Sequence, residues 1–226
     1  MTGVTVYTGV LATLILAQAV TPQCGSSGGS AAVPINTQSL LVNAGPANNY
    51  YNGAFTTVTL CVSGTSTCQT IDGMLVDTGS SGVRVLASVL TLSLPQASVG
   101  AGPLVECNQF LDSVTWGAVR TADVKLAGEQ ANAVPIQVIG GAGFATPPTG
   151  CASSTMPPEQ TVDDLGANGI LGIGSFRQDC GQACAITGSS NPGLYYACPS
   201  TGCQVVAASL TQQLQNPVWM FPSDNN

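Results

Sequence analysis

The spacing of chain breakers constrains this chain most. From Ala31 onward, short runs rich in Val, Ile, Leu and Thr are cut by Gly, Pro, Asn or Ser before they reach helical length. A strand needs only about five residues, whereas an average helix needs roughly three turns. The pattern predicts strands over residues 55–62, 70–76, 83–86, 120–126, 133–139, 169–173 and 218–221. One stretch, residues 207–214 (AASLTQQL), reads as a short helix ending ahead of Asn216-Pro217. There is no internal repeat and no heptad. The expectation is an all-β domain over residues 31–226, preceded by a leader and tether over residues 1–30.

Hydrophobic residues make up 44% of the chain, enough for a substantial core. Aromatics are only 5%, so Val, Leu, Ile and Ala must fill most of it. Charged residues are 7%, against roughly 25% in an average globular protein, so Ser, Thr, Asn, Gln and Gly must build the surface. The four basic residues, Arg84, Arg120, Lys125 and Arg177, are scattered in a chain of net charge -7. Nucleic acid needs clustered Lys and Arg, so it is excluded as a partner. No histidine is present, which excludes Ser-His-Asp and Cys-His nucleophiles and His-ligated zinc. Carboxylates, hydroxyls and thiols remain for any chemistry.

There are nine cysteines and no C-x-x-C pair of the zinc type. Setting Cys24 aside leaves eight, enough for four disulfides in an oxidising compartment. Cys61 and Cys68 flank a hairpin-like tip. Cys107 with Cys151 would tie two distant strands. The last four pair either locally, as Cys180–Cys184 and Cys198–Cys203, or nested, as Cys184–Cys198 and Cys180–Cys203. Both arrangements stay open.

Residues 9–20 (GVLATLILAQAV) have the length of a signal-peptide core and fall short of the roughly 20 apolar residues that span a bilayer. Cys24 and a Gly/Ser tether follow, which resembles the start of a mature bacterial lipoprotein. Cys24 is therefore a candidate for lipidation and membrane tethering. Thr21, Pro22 and Gln23 depart from the Leu and small residues of such leaders, and no Lys or Arg precedes the apolar run. A start codon set elsewhere and a merely unpaired thiol are the alternatives. Export is expected, to a bacterial periplasm, cell envelope or the extracellular space.

The chemistry-bearing stretch is LVDTGSSGVRVL, residues 75–86. It places Asp77 after a strand-like run and before a turn of small hydroxyl residues. Gly79 permits a tight loop that a Cβ would obstruct. Alone, Asp-Thr-Gly also describes a plain β-turn in which Asp77 bonds its own backbone. Other motifs follow in order. YNGAFTTV (residues 51–58) precedes the loop, NGILGIG (168–174) follows it, and LTQQLQNPVWMF (210–221) comes last. This series resembles the first lobe of a pepsin-like aspartic peptidase over roughly residues 50–224. Ile170 lies 170 − 77 = 93 positions after Asp77, a separation typical of one such lobe. The chain also resembles a family of exported bacterial proteins of unassigned activity, through Asp77–Gly82, GANGILGIG (residues 166–174), the leader and the cysteines.

The resemblance implies a fold, a chemistry and residue roles. The fold is one disulfide-stapled β lobe of a bilobal protein, truncated at its C-terminus. The chemistry is acid-dependent peptide-bond hydrolysis by two carboxylates that share a proton. Asp77 would be one of them. Thr78 would brace the loop against its counterpart, Gly79 would offer its N–H to the pair, and Ser80 would bond the outer carboxylate oxygen. A peptide or protein is the implied substrate, and no metal or organic cofactor is needed.

Three departures qualify this. No second D-[ST]-G occurs, so the mate must come from a missing second lobe or a homodimer partner. Phe110 stands where such lobes carry a flap Tyr, and Arg84 where they carry the Trp that bonds it. Phe110, Trp116 and Arg84 are accordingly the candidate substrate contacts, with strand packing the plainer role for Trp116. The alternative function is a catalytically inactive envelope protein that binds or scaffolds on the same fold. A third reading is a surface adhesin using Tyr195, Tyr196 and Trp219, against which stands the usual burial of strand aromatics.

Overall fold

The apolar runs become strands in the computed structural model, which describes residues 36–100 and 102–222. They are β1 (Leu41–Asn43), β2 (Gly53–Cys61), β3 (Cys68–Asp77), β4 (Ser81–Leu86), β5 (Ser98–Val99), β6 (Gly102–Gln109), β7 (Val114–Leu126), β8 (Glu129–Ile139), β9 (Gly169–Ile173), β10 (Tyr195–Ala197) and β11 (Gln204–Val205). One short helix, α1 (Val162–Leu165), is capped by Thr161, whose side chain accepts from the Asp164 N–H. The all-β expectation is met. The leader and Cys24 lie outside the described residues.

Six strands close into a barrel in the order β2, β3, β9, β4, β8, β7. The closing pair runs from Thr59↔Lys125 to Cys61↔Asp123. Closure leaves no free edge around the ring. The main apolar cluster includes Val58, Leu60, Met74, Val83, Val85, Val134, Ile136 and Leu171, all buried. Aliphatic side chains fill it, as the scarcity of aromatics demands.

Two features of this topology position the site. β3 and β4 follow each other in sequence yet are not neighbours in the sheet, because β9 lies between them. It runs parallel to β3, with Asp77 opposite Gly172, and antiparallel to β4, with Gly82 opposite Gly172. The first half of β7 leaves the barrel and pairs with β6, which carries β10 on its other side. The β6–β7 hairpin closes over Phe110–Ser113, where the Phe110 N–H donates to Ser113 O at 2.9 Å.

Four disulfides form: Cys61–Cys68 across the β2–β3 hairpin, Cys107–Cys151, and the local pairs Cys180–Cys184 and Cys198–Cys203. The local arrangement is thus the one adopted by the last four cysteines. No helix among the described residues is long and apolar enough to cross a membrane. The disulfides are consistent with an exported protein. Cys107–Cys151 spans 44 residues, so it restrains the unfolded chain more than the other three. Replacing both of these cysteines with serine is expected to cost about 2–4 kcal/mol of stability. Guanidinium unfolding checks this, and an unchanged midpoint would refute it.

Two local expectations are corrected. Residues 207–214 form no helix. The Leu214 N–H donates instead to the Tyr195 hydroxyl at 2.7 Å, and Gln213 Nε2 takes the Ala208 carbonyl at 2.8 Å. A tertiary partner and a local side chain thus claim the groups a helix would use. Residues 218–221 are not a strand. Pro217–Met220 is a 3-10 turn, started by the Asn216 side chain, which accepts from the Val218 N–H at 3.0 Å. Asn followed by Pro is a helix-start signal that the apolar VWMF run masked.

Candidate functional site

The end of β3 delivers Asp77 to an open turn. Its carboxylate is half-buried, while Thr78 and Gly79 are exposed. Asp77 Oδ1 accepts from the Gly79 N–H at 2.8 Å, so the loop orients its own acid. The Thr78 side chain makes no bond among the described residues. Ser80 departs from its expected role: its Oγ is buried without a partner rather than bonded to Asp77. Gly172 of β9 packs against it.

The underside of the turn is clamped. The Gly174 N–H donates to Ser80 O at 2.7 Å, and Ser81 Oγ donates to Phe176 O at 2.7 Å. Asn216 Nδ2 in turn holds Gly174 O at 2.7 Å. β9 comes this close because it lacks side chains where it passes the turn. A Cβ on Gly172 would lie 2.7 Å from Ser80 Oγ and 2.9 Å from Gly82 O. Gly82 itself sits at φ +103°, a conformation that side chains rarely adopt, with its α-carbon facing Leu214. The glycines in the two motifs are therefore steric requirements of one assembly.

Within electrostatic reach of Asp77 lies a group that sequence reasoning missed. Tyr50 stacks edge-on against Phe55, with ring centroids 5.6 Å apart. It packs on Gly166, where a Cβ would meet the ring at 2.5 Å. Burial raises its phenol pKa, and the charges of Glu159, Asp77 and Asp112 raise it further. Its neighbour Tyr51, which carried the sequence motif, points to solvent and is 98% exposed. Glu159 is likewise held above the ordinary carboxylate range, mainly by burial and opposed by a hydrogen bond from Ser113. The only early signal for Tyr50 was its adjacency to Tyr51.

Phe110 belongs to the apolar cluster that also contains Tyr50, Phe55, Leu75 and Leu86. Leu75 shares a strand face with Asp77, so this candidate contact does lie on the Asp77 side. The other two do not reach an open surface. Trp116 is buried and meets Tyr196 edge-on at 5.2 Å. Its plainer packing role is the correct one. Arg84 is fully buried and ion-paired with Glu106 at 2.6 Å, so it cannot touch a substrate in this fold. Tyr195 and Tyr196 are also buried, whereas Trp219 is exposed. The aromatic adhesin surface therefore loses two of its three members.

A cavity of about 490 Å³ lies beside β1 and β2 and is lined by Leu41, Pro46, Phe55, Asp72 and Asn168. Another, about 440 Å³, is lined by Tyr50, Tyr51, Glu159 and Asp164. The arrangement is a single oriented carboxylate on an open turn, with a phenol within its electrostatic reach. Among the described residues no cluster of three or more metal-ligating side chains is present.

No curated protein matches the chain significantly. The family model described as a protein of unknown function, DUF3443, matches residues 32–226. That span includes every described residue, and the chain belongs to the DUF3443 family.

Proposed function

We propose that this chain is one half of a pepsin-like aspartic-peptidase cleft, in which Asp77 supplies one of two carboxylates. The observation that carries the reading is the Asp77 turn. It presents a single acid at an exposed edge while β9, threaded between β3 and β4, holds the turn from beneath. The mate would come from a second lobe or a second copy of the chain. The exposed, unbonded Thr78 is where a facing turn would meet this one.

In the reaction, the ionised carboxylate takes a proton from water as the oxygen attacks the peptide carbonyl carbon. The protonated carboxyl gives its proton to the carbonyl oxygen. The carbon–nitrogen bond then breaks as the leaving nitrogen is protonated. The substrate is a peptide or unfolded protein, and the setting is the bacterial periplasm, envelope or exterior, with Cys24 as a lipid tether.

A second reading is a binding protein on the same frame. It is favoured by the unpartnered Ser80 Oγ and by Phe110, which brings no hydroxyl to the hairpin tip. Cleavage of a denatured protein, followed across pH on material shown to be paired or two-lobed, separates the two. The peptidase reading expects hydrolysis confined to acid, where the pair holds its shared proton. Absence of cleavage at every pH by such material would leave the binding role.

A further inference from the structure

Arg84, Glu106 and Asp179 come from three distant parts of the chain and meet in the interior. Arg84 Nη2 donates to Glu106 Oε1 at 2.6 Å and lies 3.5 Å from Asp179 Oδ2. The Tyr195 hydroxyl is 2.9 Å from each Asp179 oxygen and accepts from the Leu214 N–H at 2.7 Å. One guanidinium thus faces two carboxyls. Full ionisation would leave an uncompensated negative charge in the core, an unfavourable state. It would also leave Glu106 Oε2 buried without a donor. The two carboxyls share one guanidinium nitrogen, Arg84 Nη2. A proton on one of them removes the excess charge.

We propose that the folded chain retains one proton on the Asp179–Glu106 carboxyl pair and that this proton locks the underside of the Asp77 turn. Two arms transmit it. Arg84 Nη1 donates to Ser81 O at 3.0 Å. Tyr195 fixes Leu214, which packs against Gly82, where an added Cβ would lie 2.8 Å from Leu214 Cβ. Both arms end on residues that directly follow the turn.

The titratable groups facing Asp179 are Arg84 from β4, Glu106 from β6 and Tyr195 from β10. Burial pushes the Asp179 carboxyl well above the usual range and Glu106 adds to this, while Arg84 and Tyr195 oppose it. Burial works against the Arg84 charge, but Glu106 and Asp179 outweigh it, so the guanidinium stays charged. Burial also raises the Tyr195 phenol, which stays neutral. A raised acid favours the folded state fully below the unfolded pKa of about 3.9. As pH rises, the unfolded chain releases its proton first, and the folding constant falls about tenfold per pH unit until the folded pair lets go.

The test is urea unfolding of the wild type and Asp179→Asn from about pH 4 to about pH 7. Asparagine keeps the shape of the uncharged carboxyl. Above the unfolded pKa and until the folded proton is released, the wild type is expected to lose about one power of ten in folding constant per pH unit more than Asp179→Asn. The raised Glu159 carboxyl contributes equally to both and cancels. Equal slopes in the two proteins overturn the proposal. Should Asp179→Asn fail to fold, carbon-13 titration of the wild-type Asp179 carboxyl decides: ionisation at ordinary carboxylate pH overturns it, and retention of the proton above that range supports it. Neither readout requires enzymatic activity.

Discussion

Asp77→Asn is expected to abolish peptide-bond cleavage while leaving the fold intact. The asparagine carbonyl can still accept from the Gly79 N–H, which now reaches Asp77 Oδ1 at 2.8 Å, so the turn keeps its shape. The clamps beneath it, from Gly174 to Ser80 and from Ser81 to Phe176, do not involve residue 77. What is lost is the ability to take a proton from water or pass one to the substrate. General acid–base groups typically contribute about 10²–10⁴ in rate, so a fall of at least about a hundredfold in acid is expected. The measurement is the cleavage rate of a denatured protein by paired or two-lobed material, with the thermal midpoint taken in parallel. Cleavage that survives the substitution, with the fold unchanged, would remove Asp77 from the mechanism.

Arg84→Met is expected to be the most destabilising of the substitutions considered. It removes the only cation from a buried site that holds Glu106 and Asp179, at side-chain exposures of 0% and 2%. Breaking a buried pair by deleting one partner typically costs about 3–5 kcal/mol, because the remaining charge has no compensation. The deletion also frees the Ser81 carbonyl that Arg84 Nη1 holds at 3.0 Å. The penalty should shrink in acid, where both carboxyls can be neutral. Adding Glu106→Gln should recover part of it at neutral pH. Guanidinium unfolding near pH 7 and near pH 4 checks both points. A neutral-pH loss below about 1 kcal/mol, the range of an exposed ion pair, would show that the cluster is not what holds β4 to β6.

The site was legible to the extent that its parts were local. Asp77-Thr78-Gly79 announced a turn because Gly and small hydroxyl residues leave few other conformations. The glycines of NGILGIG marked a strand with nothing to keep it from its neighbours, and that strand does pack against the turn. Arg84 was misplaced because local pattern carries no information about its mate. Glu106 is 22 residues away, in β6, a strand absent from those expected from the sequence. Tyr50 and Tyr51 were indistinguishable as neighbours, and only Phe55 and Gly166, brought in from β2 and the end of α1, decided which ring is packed.

By itself, the sequence determined an all-β chain, a hairpin staple at Cys61–Cys68 and a single presented carboxylate, because backbone propensity and short-range sterics act within a few residues. Tertiary structure alone decided that β9 separates β3 from β4, that the last four cysteines pair locally, that residues 207–214 surrender their helix to Tyr195 and Cys184, and that Arg84 is an interior ion rather than a substrate contact. Each of these depends on which distant groups burial brings within a few ångströms, where low dielectric and lost hydration make pairing strongly favourable and local preference small by comparison.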